Sequence, residues 1–570
     1  MTKTLSPTLC PLLLGMTSAL ALAACATAPA GQETSGQETS DAPATAPAPD
    51  MSRPAPVRTA GTVPQQAGDD YYVSASSAVK ARAGDDFVPR AKNVILFVGD
   101  GMGVSTVTAG RIYAGQQKGM DGESYRLAME SLPYSAFSKT YSHDAQVPDS
   151  AATATAMVSG IKTLSRTLGL RSGIAYGNCA SVAGQSTDSL FEIAENAGLA
   201  TGIVSTARIT HATPASTYAE SADRNWEDDT EIGGSDCADI ARQLVEWDAG
   251  DGFEVVLGGG RGAFFPASAI DPETDGPAGR RLDEADLTKV WTGLSEDHVY
   301  VTDQAGFDAV DFASNTRVLG LFEQSHMQYE LDRADDPAGE PSIAELTEAA
   351  ITRLSQEEDG YVLMVEGGRI DHAHHGVNAA RALGDTAALD EAVQTALEMT
   401  DPSETLIIVT ADHSHTMTIA GYPVRGNPIL GKVAYGPGGV ARAEDGKPYT
   451  TLGYANGETG CAPGEEDCAR EDLTGVDTTD KDFQQQSLVF SGSETHAGED
   501  VPVFASGPGA ELFRGTIEQH EIFHAARSCR CRAALSPTKT DQALLRRGGG
   551  SRPQPRRHAH DAACGRYPAV

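Results

Sequence analysis

The sequence predicts an α/β protein with a largely parallel central sheet and helices on both faces. Short apolar runs rich in Val and Ile recur between helix-length stretches, the pattern of strands buried on both faces. Five of six such runs end in, or are followed by, a polar or ionisable group or glycines, and open α/β sheets bind ligands at the carboxyl ends of their strands. A length of 570 residues permits one large domain with insertions.

The runs, in order, are "NVILFVGD" at 93–100, "TGIVST" at 201–206, "FEVVLGGG" at 253–260, "YVLMVEGG" at 361–368, "TLIIVTADH" at 405–413 and "VPVFASG" at 501–507. All six read as buried parallel strands. Residues 262–300 and 421–490 are rich in Gly, Pro and acidic residues and read as long surface insertions. One catalytic domain over 89–524, with a cap-like insertion near 421–490, accounts for this pattern.

The two ends differ from the middle. Residues 1–25 carry Lys3, an apolar stretch too short to span a bilayer, and small residues before Cys25, which is an export signal. "Leu22-Ala23-Ala24-Cys25" resembles a bacterial lipobox, which implies a lipid on Cys25; plain cleavage near Ala24 is the alternative. Residues 26–88 hold a repeated "GQETS" and few large apolar residues and read as a flexible linker. An exported, periplasmic or cell-surface protein can keep disulfides. Cys179 and Cys237 flank a compact segment and Cys461 and Cys468 bracket "CAPGEEDC", so both pairs are expected to be bridged. Residues 525–570 are basic and aperiodic, either a disordered tail or a frameshifted end in place of an amphipathic helix. The formal net charge of −36 excludes a nucleic-acid scaffold, which needs a basic face.

The candidate chemistry lies at the strand ends. In "QVPDSAATATAM", Asp149 and Ser150 stand where a helix begins, among free backbone N–H groups. By itself this is an ordinary N-cap. Asp100 ends the first run in "GDGMG". In "VEGGRIDHAHH", Glu366 ends a strand, and the i, i+4 spacing of Asp371 and His375 puts both on one helix face, a good pair of zinc ligands. His374 reads as a solvated helix-face histidine. Asp412 and His413 end another run, and His496 stands just before the last.

The elements "GDGMG", "DSAATATAM", "HATPAS", "SADRNW", "VEGGRIDHAHH", "TADHSH" and "THAGEDV" stand in the order and spacing of the alkaline phosphatases, and the resemblance covers about 93–524. His211 and His372 make it more similar to the animal-type enzymes. The resemblance implies two Zn²⁺ ions and one Mg²⁺. Ser150 matches the phosphorylated nucleophile, Arg224 the arginine that grips phosphate, and Asp149 that arginine's support. Asp371, His375 and His496 match one zinc site. Asp100, Asp412 and His413 match the other, which also binds the Ser150 oxygen. Asp100, Thr213 and Glu366 match the magnesium site, with His211 and His372 behind it. Glu273, Phe322, Glu323 and Glu340 resemble a peripheral Ca²⁺ site, the alternative being solvated acidic residues. Small phosphate monoesters, a homodimer and a membrane contact through the lipid alone are the implied partners. Serine is a poor nucleophile at its free pKa, and coordination to Zn²⁺ can activate it without a histidine base. A phosphodiesterase on the same scaffold and a catalytically silent metal-binding lipoprotein are the rival readings.

Overall fold

The computed structural model describes residues 63–528, except 85–86, 88–90, 234, 236, 272, 274–275, 277–278 and 462–468. Cys25, Cys468, the signal segment and residues 529–570 of the basic tail therefore lie outside the described residues.

Ten strands form the main sheet: β1 (Asn93–Gly99), β2 (Tyr134–Lys139), β3 (Ala200–Arg208), β4 (Val255–Gly259), β5 (His298–Val301), β6 (Arg317–Leu321), β7 (Tyr361–Gly367), β8 (Thr405–Ala411), β14 (Val501–Ser506) and β15 (Gly515–Glu518). Five more strands lie outside it: β9 (Ser414–His415), β10 (Met417–Ile419), β11 (Leu452–Gly457), β12 (Ser487–Phe490) and β13 (His496–Ala497). The helices are α1 (Asp70–Ala83), α2 (Val104–Gln117), α3 (Ser150–Ser159), α4 (Leu190–Glu195), α5 (Ala212–Ala215), α6 (Ile240–Val245), α7 (Leu287–Thr292), α8 (Gln304–Asp308), α9 (Ile343–Leu354), α10 (Arg369–His375), α11 (Ala379–Met399) and α12 (Glu521–Ser528).

The main sheet runs β15-β2-β14-β8-β1-β7-β3-β4-β6-β5. Its centre is parallel, and β1, β7 and β8 are buried along nearly their whole length. Two apolar clusters fill its two faces, one built on Val94, Leu96 and Val98 of β1 and the other on Ile95 and Phe97. Alternation along one strand thus feeds both layers.

Four features depart from the sequence reading. The run at 501–507 forms β14, which pairs antiparallel with both β8 and β2; hydropathy reports burial and not strand direction. Residues 262–300 are more than surface: Phe264, Leu287 and Trp291 are buried, and β5 lies on the sheet edge. The buried Arg281 guanidinium, bidentate on Asp239 at 2.9 Å for both contacts, ties this Gly- and Asp-rich segment to α6. Residues 70–83, read as linker, are helix α1, which buries Tyr72, Ala75 and Val79 among many Ser and Ala. Finally, α12 continues to Ser528, past the expected domain end at 524, and buries Ile522, Phe523, Ala525 and Ala526.

Helix α12 closes over α3. Gly160, the left-handed C-cap of α3, has φ 77°, and a Cβ there would lie 2.5 Å from the Phe523 ring and 2.9 Å from His524 Nε2. Only glycine permits this approach. Residues 417–490 carry a small sheet of β10, β11 and β12. Its Leu452 and Tyr454 pack with Ile112 and Tyr113 of α2 and Leu383 of α11. Among the described residues, no helix is long and apolar enough to cross a membrane.

Just after α3, the Lys162 ammonium is almost wholly buried. It donates to the Tyr141 carbonyl at 2.6 Å, lies 3.5 Å from Glu518 and stands 3.6 Å from the Tyr141 ring centroid. Burial lowers its pKa from 10.5 to about 8 despite Glu518. Between those values the unfolded chain holds a proton that the folded chain has released, so stability rises with pH through that window. Below pH 8 the full cost of the buried charge applies. Relative to Lys162→Met, the native protein is expected to gain about 3 kcal/mol between pH 8 and 10.5, measured by denaturant unfolding at each pH. A difference that stays constant across the window would show that Lys162 titrates like a solvated lysine.

Candidate active site

Parallel register sets the site. Val98 pairs with Glu366 and Gly99 with Ala411, so Asp100, Glu366 and Asp412 leave neighbouring strand ends together. All three carboxylates are fully buried. Among the described residues, both Asp100 oxygens lack a hydrogen-bond partner, as does Oε1 of Glu366. Burial, with Asp412 adding repulsion, pushes the Asp100 carboxyl well above the usual range. A divalent cation is the group that best satisfies buried carboxylate oxygens without donors.

Three sets of possible ligand atoms converge. Asp371, His375, His415 and His496 form one, Asp100, Asp371 and His413 the second, and Asp100, His211 and Glu366 the third. In the first, His375 Nδ1 faces the Glu494 carbonyl at 2.6 Å and His496 Nδ1 faces the Pro148 carbonyl at 2.8 Å. Each Nδ1–H is thereby used, which fixes the tautomers. The two Nε2 lone pairs then meet at 3.2 Å, with Asp371 Oδ1 3.3 Å from His375 Nε2 and 3.4 Å from His496 Nε2. Three acceptors facing one another with no proton between them fit a cation.

His415 differs from its neighbours. Its Nδ1 lies 2.5 Å from Glu494 Oε2 and its Nε2 2.7 Å from Asp371 Oδ1. Burial opposes the charged ring, but these two carboxylates outweigh it and raise its pKa to about 9. With both nitrogens donating, His415 orients Asp371 and has no lone pair for a metal. Sequence reasoning passed over His415 and Glu494. The signal lay in "HSH", since alternation puts His413 and His415 on one side, and β9 pairs His415 with His496 of β13.

In the second set, His413 Nε2 lies 3.4 Å from Asp100, 3.2 Å from Asp412 Oδ2 and 3.1 Å from Ser150 Oγ. Asp412 Oδ1 accepts the N–H of Gly101 at 2.9 Å and of His413 at 2.8 Å, which anchors it. Around the third set, Thr213 is buried on α5, and Ser205, another residue the sequence did not single out, donates to Glu366.

Ser150 opens α3, so its hydroxyl sits at the positive end of that helix. Asp149 is the N-cap and also holds Arg224: its Oδ2 accepts from Ala151 N at 3.3 Å and from Arg224 Nη1 at 3.1 Å. Arg224 Nη2 lies 2.9 Å from His211 Nε2. Burial and the Arg224 charge keep His211 well below the usual imidazole pKa, so it accepts this bond as a neutral ring. The His372 ring lies 5.3 Å from His211 and 4.0 Å from His326, a further imidazole that the motifs did not mark. His374 is fully buried, not solvated, and bridges Thr106 at 3.0 Å and Tyr454 at 2.8 Å. Its neighbours come from α2 and the 417–490 sheet, which a helix-face reading does not see.

At the periphery, Glu273, Glu323 and Asp336 converge. Asp336 was not foreseen, whereas Glu340 sits beside them with Oε1 accepting from Gln328 N at 2.8 Å. The Phe322 carbonyl accepts from Arg261 at 2.6 Å, and the same guanidinium pairs with Asp271 and Glu273. Cys179 and Cys237 are bridged. Cys461 is also disulfide-bonded.

Comparison with known proteins agrees with this geometry. The family model described as alkaline phosphatase matches residues 91–531. The chain is 44% identical over 453 residues to the tissue-nonspecific alkaline phosphatase of Gallus gallus, covering 77% of this chain and 85% of that one. It is 40% identical over 451 residues to the Homo sapiens isozyme, covering 77% and 84%. The structure of alkaline phosphatase from the Antarctic bacterium TAB5 superposes with a TM-score of 0.53 at 25% identity, covering 77% of this chain and 98% of that one. The Thermus thermophilus alkaline phosphatase shares the fold with a TM-score of 0.56 at 24% identity, covering 77% and 91%.

The Glu494 carbonyl faces His375, whereas the Glu494 carboxylate reaches Asp371 by way of His415. Glu494→Gln is expected to weaken transition-metal binding about tenfold, read by competition with a chelator. Unchanged affinity would show that the His415 bridge does not orient Asp371.

Proposed function

The chain belongs to the alkaline phosphatase family, and on that premise we propose that it hydrolyses phosphate monoesters through a phosphoserine on Ser150. The observation that carries this reading is the placement of Ser150 Oγ 3.1 Å from His413 Nε2, at a helix N-terminus, beside an Arg224 held from both sides by Asp149 and His211. Asp371, His375 and His496 would hold one Zn²⁺, Asp100, Asp412 and His413 a second, and Asp100, Thr213 and Glu366 a Mg²⁺. When bound, these ions supply Lewis-acid activation of oxygen nucleophiles and neutralise charge on the transferring phosphoryl group.

The chain's own residues do the rest. Arg224 offers a planar fork to two non-bridging phosphate oxygens. Asp149 and His211 fix that fork before substrate arrives, so little is lost in ordering it. Ser150 Oγ forms the bond to phosphorus as the bond to the leaving oxygen breaks. Water then cleaves the phosphoserine, releasing inorganic phosphate and restoring the hydroxyl. Backbone N–H groups at the start of α3 face the developing negative charge. These contacts grip the phosphoryl group alone, which supports broad monoester specificity.

Glu273, Phe322, Glu323 and Asp336, with Glu340 close by, would hold Ca²⁺ through oxygen ligands, as suits a hard cation. Export with a lipid on Cys25, to the periplasm or cell surface, is supported by the first 25 residues and fits the Cys179–Cys237 disulfide. A homodimer is supported by the exposed apolar residues Val104 and Phe137, which line one groove.

The test is release of phosphate from a monoester beside a diester, with and without chelator. Monoester turnover that chelation abolishes is expected, and a preference for the diester would overturn the reading. Ser150→Ala should lower monoester turnover on the order of a thousandfold or more while most metal is retained. Unchanged turnover would reduce Ser150 to a helix cap. His211→Asp should increase Mg²⁺ retained through dialysis, since a carboxylate offers the metal more charge than a neutral imidazole. Equal retention, measured by atomic emission, would remove His211 from the Mg²⁺ environment.

A further inference from the structure

Arg166 has φ 67°, a left-handed conformation that a residue with a Cβ adopts at a cost. Its backbone is joined to both members of the phosphate-gripping pair. Its N–H donates to Asp149 Oδ1 at 2.8 Å, and its carbonyl accepts the N–H of Arg224 at 2.8 Å. The side chain then lies over the Tyr176 ring, 4.6 Å from the centroid, with Nη2 3.8 Å from Asp223 Oδ1. The other Asp223 oxygen accepts from the Tyr176 hydroxyl at 2.5 Å. Arg166 is half exposed, whereas the Arg224 side chain is 16% exposed, so this second guanidinium stands outside the first. Among the described residues it donates no side-chain hydrogen bond, unlike Arg224.

We propose that Arg166 is a specificity-determining residue that binds a second phosphate carried on the leaving group of the substrate. The inference rests on the phosphomonoesterase reading and deepens it. In-line transfer places the leaving group opposite the nucleophile. Ser150 is buried at the floor of the site, so the leaving group points outward, toward the rim that Arg166 occupies. The whole chain carries −36, which disfavours an anionic leaving group. Charges beyond about 10 Å are screened, so the local balance is set by Arg166 and Arg224 against Asp223 and Asp149, with Arg166 half exposed to an incoming anion. The forked donors of Arg166 match phosphate, and stacking on Tyr176 holds the plane ready. The left-handed backbone holds residue 166 on Asp149 and Arg224 while its side chain lies on Tyr176 and Asp223.

The experiment compares metal-loaded full-length enzyme with Arg166→Gly and Arg166→Lys on pyrophosphate and on phenyl phosphate. Glycine accepts φ 67° freely, so the substitution relieves strain and does not threaten the fold. The ratio of kcat/KM for pyrophosphate to that for phenyl phosphate is expected to fall about fivefold in Arg166→Gly, through KM, with part of it recovered in Arg166→Lys. A ratio that stays within about twofold of the native value would overturn the proposal, as would an equal fall on both substrates, which would leave Arg166 only its backbone role. A native enzyme inactive on both substrates would instead remove the phosphomonoesterase reading itself.

Discussion

Three carboxylates, Asp100, Glu366 and Asp412, are buried side by side because β7, β1 and β8 run parallel and in register. Their mutual repulsion and burial are the constraint around which the site is organised. Like charges brought out of water can be neutralised by protons or by cations, and the unpartnered oxygens of Asp100 and Glu366 leave room for the second solution. Every neighbouring group is arranged accordingly. Backbone N–H groups anchor Asp412, Ser205 anchors Glu366, and imidazoles with fixed tautomers turn lone pairs inward.

Orientation is supplied one layer further out. Asp371 is held by the doubly hydrogen-bonded His415, which is itself held by Glu494. Arg224 is held by Asp149 and by a neutral His211. In both cases a charged group is fixed by hydrogen-bonded partners that are buried or half-buried, so it is preorganised before substrate arrives. Helix α3 joins the two arrangements, since its cap residue supports the arginine and its first residue is the serine. Its far end is closed by α12 across Gly160, which links the site to the rim of the fold.

Much of the site was legible in the sequence. Acidic and imidazole groups at the ends of apolar runs, and Asp-Ser before an alanine-rich helix, are local signals, because strand ends and N-caps are defined within a few residues. Asp371 and His375 could be paired from helical spacing alone. Hydropathy located six of the ten strands of the main sheet, whereas β2, β5, β6 and β15 were not among the runs read from the sequence.

Tertiary structure decided the remainder, and in each case the deciding contact spans elements far apart in the chain. His415 gains its role from pairing with His496, and Glu494 from closing on His415. His374 is drawn inward by Thr106 and Tyr454. Asp336 joins the peripheral acids through chain folding between β6 and α9. Helix α1 carries too little apolar periodicity to announce itself, yet packs through Tyr72 against Phe523. The direction of β14 is set by its partners β8 and β2. A sequence records what each residue can do at its own position. Which residues meet across the sheet depends on register and on packing, and neither leaves a periodic trace in the chain.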